Sequence, residues 1–402
     1  MAVPRPLRLT STLHDHRVTT FELFFDLVYV FAFTQVSGLM VHAHDAAGVA
    51  QGLVVLGLLW WTWAAYSWLA NEARADRGLL LAAMALAMAA VFVVALEIPD
   101  AFGDGETGRT AAIVLVAAYG VVRLVHIAVY LLAAGADRAL RRQVLISLGA
   151  ALLPSLALLA VGALLGGVIQ LLVWAAAWLL DVLVVFLTSL RGSWRLPAAG
   201  HWAERHGLVV ILALGESVVA IGVGAAEEEV SLPLLAGALL AIGGSIALWW
   251  AYFRSVAARA EHRLAALPPA ERPLRASEGY TYAHFPIVAG IVLAAVGVEE
   301  AMHRIPLGEP LGLFGALALT GGTSLVLAAT ALFSAVVARR ALVPRLVVGL
   351  ALLPTAVGIA ALPALAAFAI PVAATVAALA LESTLDRRAQ SSGIGLEEDS
   401  AS

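Results

Sequence analysis

The fold is decided by apolar stretches such as residues 21–43, which read FELFFDLVYVFAFTQVSGLMVHA. A helix needs about 20 predominantly apolar residues to cross the hydrocarbon core of a bilayer, and this run is long enough. Over the whole chain of 402 residues, 62% are hydrophobic and 13% are charged. Soluble proteins average about 45–50% and about 25%, respectively. The composition therefore indicates an all-α polytopic membrane protein.

Twelve runs of this kind occur along the chain, at about residues 21–43, 48–70, 78–98, 109–134, 143–162, 165–190, 206–225, 232–253, 279–298, 312–338, 343–361 and 364–384. Every basic residue other than histidine is an arginine, and arginine is enriched in cytoplasmic loops. With the N-terminus inside, all arginines except Arg109, Arg123 and Arg304 fall in the cytoplasmic segments. The sequence therefore predicts twelve spans with both termini in the cytoplasm.

An internal duplication is indicated by two similarities. LLWWTWAAYSWL in the second run and ALWWAYFRSV in the eighth share a Trp-Trp pair at an offset of 189 residues. Setting Glu22 on Glu204 aligns the first run with the seventh at an offset of 182. Two close offsets in consecutive helices favour two parallel six-helix repeats, which commonly place a binding site at their interface. Chance recurrence of Trp pairs is the alternative.

The domain prediction follows from these patterns. We expect a cytoplasmic N-terminal segment over 1–20, a first six-helix repeat over 21–190, a second over 191–385 and a disordered cytoplasmic tail over 386–402. The tail is rich in Ser, Gly and acidic residues, a composition typical of disorder.

Several classes of chemistry are excluded by composition. The chain has no cysteine and no lysine, which excludes disulfides, thiol chemistry and lysine Schiff bases. It lacks a glycine-rich phosphate loop and a His-Glu-x-x-His zinc helix. The arginines are scattered, so we expect no nucleic-acid partner. We predict no enzymatic activity, no cofactor and no metal. The expected partners are the lipid bilayer and a small ion or solute, and a homo-oligomer stays open.

Two acidic residues lie in the first span. Glu22 and Asp26 are four residues apart, so both carboxylates project from one helix face near its cytoplasmic end. Ionisable groups inside a bilayer are costly and commonly functional, and this pair would suit a proton or cation site. The alternative is structural: Glu22 stabilises the positive end of the helix dipole, and only Asp26 is buried, in an ion pair with an arginine.

The fourth span carries a polar stripe. Tyr119, Arg123, His126 and Tyr130 recur at the spacing of one helical face. Arg123 would lie near the middle of the bilayer and must pair with an acid, and His126 is the one histidine expected deep in a span. The stripe either lines a transport pathway or forms a structural clamp around Arg123.

Two acids compete as the partner of Arg123. Glu216, about halfway along the seventh span, is the deepest acid and the first candidate; Asp181 in the sixth span is its rival. We expect Asp26, Arg123 and Glu216 to form one buried ionic network at the interface of the halves, with His126 assisting proton movement.

Other polar residues are expected at the cytoplasmic ends of spans. At the start of the seventh span, Glu204 pairs with Arg205 or sits on the helix dipole, and His206 is expected to be a hydrated cap residue. His284 begins the ninth span and is expected to be a solvated anchor.

Tryptophans in the second span lie too deep for an interfacial belt alone. Trp60 and Trp61 are expected to pack between helices, and an aromatic lining for an apolar or cationic ligand is the alternative.

Several blocks of sequence resemble one family. They include FELFFDLVYVFAFTQVS, YGVVRLVHIAVYLL, HWAERHGLVVILALGESVVAIG and YTYAHFPIVAGIVLAAVGVE, spread over about residues 17–335, and they are similar to the bacterial low-temperature-requirement A family. The resemblance implies a multi-spanning protein of the bacterial inner membrane, without a particular substrate. It also implies an acid where this chain has Arg254, directly after LWWAYF.

Three functions are compatible with these features. The first, which we favour, is a transporter or channel for a small ion or solute, in which protonation or cation binding at the carboxylates alternates with pairing to Arg123. The second is a membrane-embedded enzyme or lipid-headgroup-binding protein, which predicts polar residues clustered near one leaflet, whereas transport predicts a chain across the midplane. The third is a structural or regulatory protein whose buried ions lock the fold.

Overall fold

The computed structural model describes residues 17–73, 75–190, 194–226 and 229–399. Over these residues the fold is helical and contains no β-strand. The helices are α1 (Thr20–Ala43), α2 (Ala46–Glu72), α3 (Gly78–Glu97), α4 (Gly105–Ala133), α5 (Arg138–Leu165), α6 (Gly167–Ser189), α7 (Ala199–Ala225), α8 (Leu232–Ala266), α9 (Arg272–Arg304), α10 (Gly312–Ala338), α11 (Val343–Leu352), α12 (Thr355–Ile359) and α13 (Ala364–Asp399).

Eleven helices in the described part of the chain are long and apolar enough to cross a membrane, namely α1 to α10 and α13 as far as Arg388. The predicted eleventh span, residues 343–361, instead consists of the short helices α11 and α12, separated by Leu353 and Pro354. Proline has no N–H and cannot continue the hydrogen bonding of the preceding helix. The count of twelve spans is therefore not confirmed.

Polar caps determine where several helices begin. Thr19 and Glu22 form a capping box at the start of α1, and the Asp45 side chain accepts a hydrogen bond from the Gly48 N–H, 2.7 Å away, at the start of α2. Helix α7 begins at Ala199, well before the predicted start of that span at residue 206. Its first two turns therefore include Glu204 and Arg205, which the sequence analysis placed at the start of this span.

The chain divides into two compact units. Unit 1 is Met1–Glu216 with Glu261–Phe285, and unit 2 is Ser217–Ala260 with Pro286–Ser402. This division does not coincide with the predicted repeat boundary between residues 190 and 191. Compact units are set by packing, whereas a duplication is a property of the sequence, so the two six-helix repeats stay a prediction.

Close helix packing in each unit depends on small residues. In unit 1, Gly57 of α2 lies against the indole of Trp178, and a Cβ there would stand 2.5 Å from the ring. In unit 2, a Cβ on Gly322 of α10 would meet the backbone nitrogen of Ala294 at 2.3 Å. Small residues at such positions let membrane helices approach closely.

Within the described ranges, four helices contain a π-helical segment: Ser147–Leu152 in α5, Trp250–Ala257 in α8, Ser277–Tyr282 in α9 and Ser334–Ala338 in α10. Such segments are rare and occur frequently at functional sites. Those in α5 and α9 belong to unit 1, where both contribute to a cavity described below.

The predicted N-terminal segment lies mostly outside the described residues, whereas most of the predicted C-terminal tail is described. Residues 1–16 of the predicted N-terminal segment lie outside the described residues. Residues 386–399, predicted as a disordered tail, continue helix α13. Composition indicates only whether a segment can bury apolar surface, whereas a helix already formed can propagate on its own backbone hydrogen bonds.

Candidate functional site

Glu22 both caps α1 and binds a histidine of α7. Its side chain is fully buried. Oε2 accepts hydrogen bonds from the backbone N–H and the hydroxyl of Thr19, both at 2.8 Å, and Oε1 lies 2.8 Å from Nε2 of His201. The capping role agrees with the structural alternative, but Glu22 is buried as well, which that alternative did not expect.

Asp26, one turn further along α1, is buried in an ion pair. Its Oδ1 accepts hydrogen bonds from Nη2 of Arg205 and from the indole N–H of Trp63, both at 2.9 Å. The guanidinium also lies over the Trp63 ring, 5.4 Å from its centroid. Oδ2 has no hydrogen-bond partner among the described residues. Buried polar atoms are rarely left unsatisfied, so a proton or small cation would be stabilised at this oxygen.

Glu216 is buried in α7, but it does not bind Arg123. Its Oε1 accepts a hydrogen bond from the Ser37 hydroxyl at 2.5 Å, and its Oε2 accepts one from the Thr34 hydroxyl at 2.7 Å. Both hydroxyls belong to α1. Because a hydroxyl can also accept a hydrogen bond, this arrangement can hold either a carboxylate or a protonated carboxyl group.

Helices α1 and α7 are parallel neighbours in unit 1. Their contacts at Glu22, Asp26 and Ser37 each join residues 179 positions apart, and a constant offset requires helices that run in the same direction. From Glu22 to Ser37, α1 rises roughly 22 Å at 1.5 Å per residue, against a hydrocarbon thickness of about 30 Å. We call this set the α1–α7 column: Glu22, Asp26, Thr34, Ser37, His201, Arg205 and Glu216.

Arg123 pairs with the rival candidate, Asp181. Nη1 of Arg123 lies 2.9 Å from Oδ2 of Asp181, and it also donates a hydrogen bond to the Tyr119 hydroxyl at 3.2 Å. Both charged side chains are buried. Because Asp26, Arg123 and Glu216 have different partners, the predicted single ionic network is wrong. The rotation of each helix about its axis decides the pairing, and the sequence does not specify it.

The rest of the α4 stripe lines a cavity of about 70 Å³ within unit 1. Its wall includes, together with Arg123, the side chains of Trp61, Trp68, His126, Tyr130, Trp194 and Tyr282. The stripe therefore contains both predicted arrangements, a clamp at Tyr119 and Arg123 and a cavity lining from Arg123 to Tyr130.

Two histidines predicted at a hydrated surface are fully buried, so those predictions are wrong. The rings of His206 and His284 lie 5.2 Å apart, and His206 also contacts Trp63 at 5.0 Å and Trp202 at 4.4 Å. The early start of α7 brings His206 into the helix, and aromatic residues surround it. His126 is consequently not the one buried histidine of the spans.

Glu204 and Arg205 do not pair with each other. Glu204 is exposed, and its Oε2 accepts a hydrogen bond from the backbone N–H of Val18 at 3.2 Å. Arg205 points instead to Asp26, because residues adjacent in a helix project from different faces.

The two tryptophans singled out in α2 have different surroundings. Trp60 is buried, stacks on Trp63 at 5.1 Å and donates from its indole N–H to the carbonyl of Thr281 at 2.8 Å, which agrees with a packing role. Trp61 contacts the ring of Tyr282 at 5.9 Å and lines the cavity.

Unit 2 contains a buried ion pair that the sequence analysis did not identify. Arg345 is fully buried; its Nε donates to Oε2 of Glu382 at 2.8 Å, and its Nη1 donates to the carbonyl of Ala251 at 2.7 Å. The sequence analysis assigned Arg345 to a cytoplasmic segment. Glu382, an acid within the last predicted span, was the one feature that could have indicated a buried partner for it. Arg254, where the family resemblance implies an acid, is exposed and lies over Trp250.

Among the described residues, no group of three or more His, Asp or Glu side chains is arranged to hold a metal ion.

Comparison with known sequences places the chain in a family. It is similar to "Uncharacterized protein RA0937" of Rhizobium meliloti (strain 1021), with 28% identity over 329 residues, which are 77% of this chain and 75% of that protein. No solved structure matches the chain significantly. The sequence model of the bacterial low temperature requirement A protein (LtrA) matches residues 17–382. This multi-pass membrane protein therefore belongs to the bacterial LtrA family.

Proposed function

We propose that this protein is a transporter or channel of the bacterial inner membrane, and that the α1–α7 column carries protons or a small cation. We also propose that both termini lie in the cytoplasm, which requires α11 and α12 together to make a twelfth crossing; the hydrogen bond from the Leu311 N–H to the Leu362 carbonyl, which brings the end of that segment back to the start of α10, supports it. The length of the column supports the proposal. An enzyme or binding protein for lipid headgroups needs its polar groups near one leaflet, whereas these extend over roughly 22 Å of helix.

The contacts of Asp26 favour a switch between two pairings. When a proton or cation occupies Oδ2 of Asp26, the attraction between Asp26 and Arg205 weakens. Nη1 of Arg205 lies only 3.9 Å from Oε1 of Glu22, so the guanidinium has a second carboxylate within reach. In this mechanism, ion binding at the carboxylates alternates with their pairing to Arg205, and not to Arg123 as the sequence hypothesis had it.

Glu216 is a second proton-binding group, further along the α1–α7 column than Asp26. It has two hydroxyl partners, Thr34 and Ser37, and no basic residue is among its hydrogen-bond partners in the described chain. A carboxyl group in such surroundings is suited to bind and release a proton without breaking an ion pair.

A structural role is the rival candidate, and the pair of Arg123 with Asp181 favours it for that part of unit 1. Both charges are buried, and Nη1 of Arg123 lies 2.9 Å from Oδ2 of Asp181. Buried ion pairs can fix an arrangement of helices without any transport function.

Flux measurements in liposomes distinguish the two. The purified protein is reconstituted, and proton, potassium and sodium gradients are imposed in turn. We expect one of these ions to move in the wild type, flux to be lost in folded Asp26→Asn, and flux to be retained in the control Asp45→Asn, because asparagine caps a helix as well as aspartate. A folded wild type that moves none of the three ions would contradict the proposal.

A further inference from the structure

We infer that the aromatic cavity of unit 1 is a binding site for a short-chain monocarboxylate. The inference does not depend on the function proposed for the α1–α7 column.

The cavity wall contains buried polar atoms that lack hydrogen bonds. In the described chain, Nε of Arg123 and the hydroxyl of Tyr130 have no hydrogen-bond partner, and the ring nitrogens of His126 have none apart from a weak interaction with the backbone of Ala65. All three side chains are less than a tenth exposed. Buried polar groups are nearly always satisfied, so three such groups on one cavity indicate an occupant that bonds to them.

These groups mainly donate, so the occupant must accept. The Nε–H of Arg123 is a donor only, the Tyr130 hydroxyl has a proton to give, and a neutral His126 has one N–H, which it shares with the backbone of Ala65. A carboxylate presents two acceptor oxygens and forms its strongest hydrogen bonds with a guanidinium. A cation is disfavoured, because Arg123, which only donates hydrogen bonds, lines the same cavity.

The rest of the cavity wall is largely aromatic and suits a small apolar group on the ligand. The indole N–H of Trp68 already donates to Thr281 at 3.1 Å, and that of Trp194 donates to Ser189 at 2.9 Å, so these residues offer ring surface to the cavity. A cavity of about 150 Å³ admits benzene, and this one is about 70 Å³. It therefore suits a carboxylate with about three or four carbon atoms.

A second depression adjoins the cavity on one side. It has a volume of about 240 Å³, shares Ser189, Trp194 and Ser277 with the cavity, and is also lined by Glu271, between α8 and α9, and by Arg275 at the start of α9. Water in this depression would lie close to an anion in the cavity and would lower the cost of burying its charge.

Two π-helical segments contribute to the same wall, with Ser147 from α5 and Ser277, Thr281 and Tyr282 from α9. Segments of this kind are frequently found at functional sites. Their convergence on one cavity is a structural observation independent of the unsatisfied polar atoms.

Calorimetric titration of the purified protein tests the inference, with propionate as the probe in a buffer free of carboxylates. We expect saturable binding of propionate, at least tenfold weaker binding of the neutral propionamide, and no binding of propylammonium. These comparisons use the wild type, so they do not depend on whether a variant folds. Absence of saturable propionate binding, or tighter binding of the amide or the cation, would overturn the inference.

Variants locate the site. Tyr130→Phe and His126→Phe keep the ring volume and remove the hydrogen-bonding atoms, and each should weaken propionate binding about tenfold. Tyr252→Phe, in unit 2, is the matched control and should bind as the wild type does. Unchanged binding in both cavity variants, once their thermal unfolding shows that they are folded, would place propionate elsewhere and overturn the inference.

Discussion

Arg123 and Arg205 show how single buried charges are accommodated in apolar helices. Each lies in a span, each is at most 4% exposed, and each faces an aspartate at 2.9 Å. Removing two charges from water costs free energy, and their mutual attraction offsets that cost only when both partners are present and well oriented. Removing one partner should therefore lower the stability more than replacing both partners with apolar residues.

For the pair of Arg123 and Asp181, this asymmetry gives a measurable stability difference. Arg123→Met alone leaves Asp181 buried without a cation, and we expect a loss of about 3–5 kcal/mol, visible as a lower Tm in detergent. Combining it with Asp181→Leu should recover most of the loss. Arg254→Gln, at an exposed position, is the control and should change stability by less than about 0.5 kcal/mol. If the double variant is no more stable than Arg123→Met, the ion pair does not hold the helices together.

Part of this residue-level account could be predicted from the sequence. The energetic cost of charge in a bilayer predicts that Arg123 binds an acid, and it binds Asp181. The ion pair of Asp26 with an arginine was the structural alternative for that residue, and Asp26 binds Arg205. The choice between Asp181 and Glu216 could not be predicted, because both lie in the middle of apolar runs. Nothing in the sequence indicates that the hydroxyl groups of Thr34 and Ser37 bind Glu216.

Among the helices, the parallel pairing of α1 and α7 has the widest consequences. Two helices can run in the same direction through a membrane only if an odd number of spans lies between them. The five spans α2 to α6 satisfy this condition, so α7 begins on the side on which α1 began. The polar contacts then follow one face of each helix over several turns.

The register of α1 against α7 can be tested by cross-linking, because the natural chain has no cysteine. The Ser37 hydroxyl and the Glu216 carboxylate approach to 2.5 Å. A cysteine at 216 is shorter than glutamate, so Ser37→Cys combined with Glu216→Cys should be bridged by a short bis-methanethiosulfonate reagent, detected by mass spectrometry. Ser37→Cys combined with Ile211→Cys is the control, because Ile211 is exposed and more than one turn away. Equal cross-linking of the two pairs would contradict the register.

The spans themselves were largely predictable, because length and hydropathy determine whether a helix can cross a bilayer. Three local features were not. Pro354 interrupts a run that is apolar throughout, α7 starts early because its first polar residues find partners, and the π-helical segments depend on packing. Each is decided by tertiary contacts rather than by the average composition of a segment.

For the whole molecule, the distribution of arginine predicts the orientation in the membrane. Single cysteines can test it in intact cells with an impermeant maleimide. Glu106→Cys, in the exposed start of α4, should be labelled from outside, whereas Ala270→Cys, between α8 and α9, should be labelled only after permeabilisation. The reverse pattern would contradict a cytoplasmic N-terminus.

Family membership and the all-helical, multi-span character of the fold followed from the sequence, because both depend on features spread over most of the chain. The functional sites did not, since a fold does not specify what passes through it or binds to it. The α1–α7 column and the aromatic cavity emerge only when residues distant in sequence are brought together in unit 1.

The most direct test of the proposed transport is the effect of Glu216→Gln on ion flux in liposomes. Glutamine retains the volume of glutamate and can hydrogen-bond to Thr34 and Ser37, but it cannot take up a proton. We expect a folded variant, with the Tm of the wild type, whose flux falls to the level of protein-free liposomes. Flux equal to that of the wild type would show that Glu216 does not carry the ion and would contradict transport through the α1–α7 column.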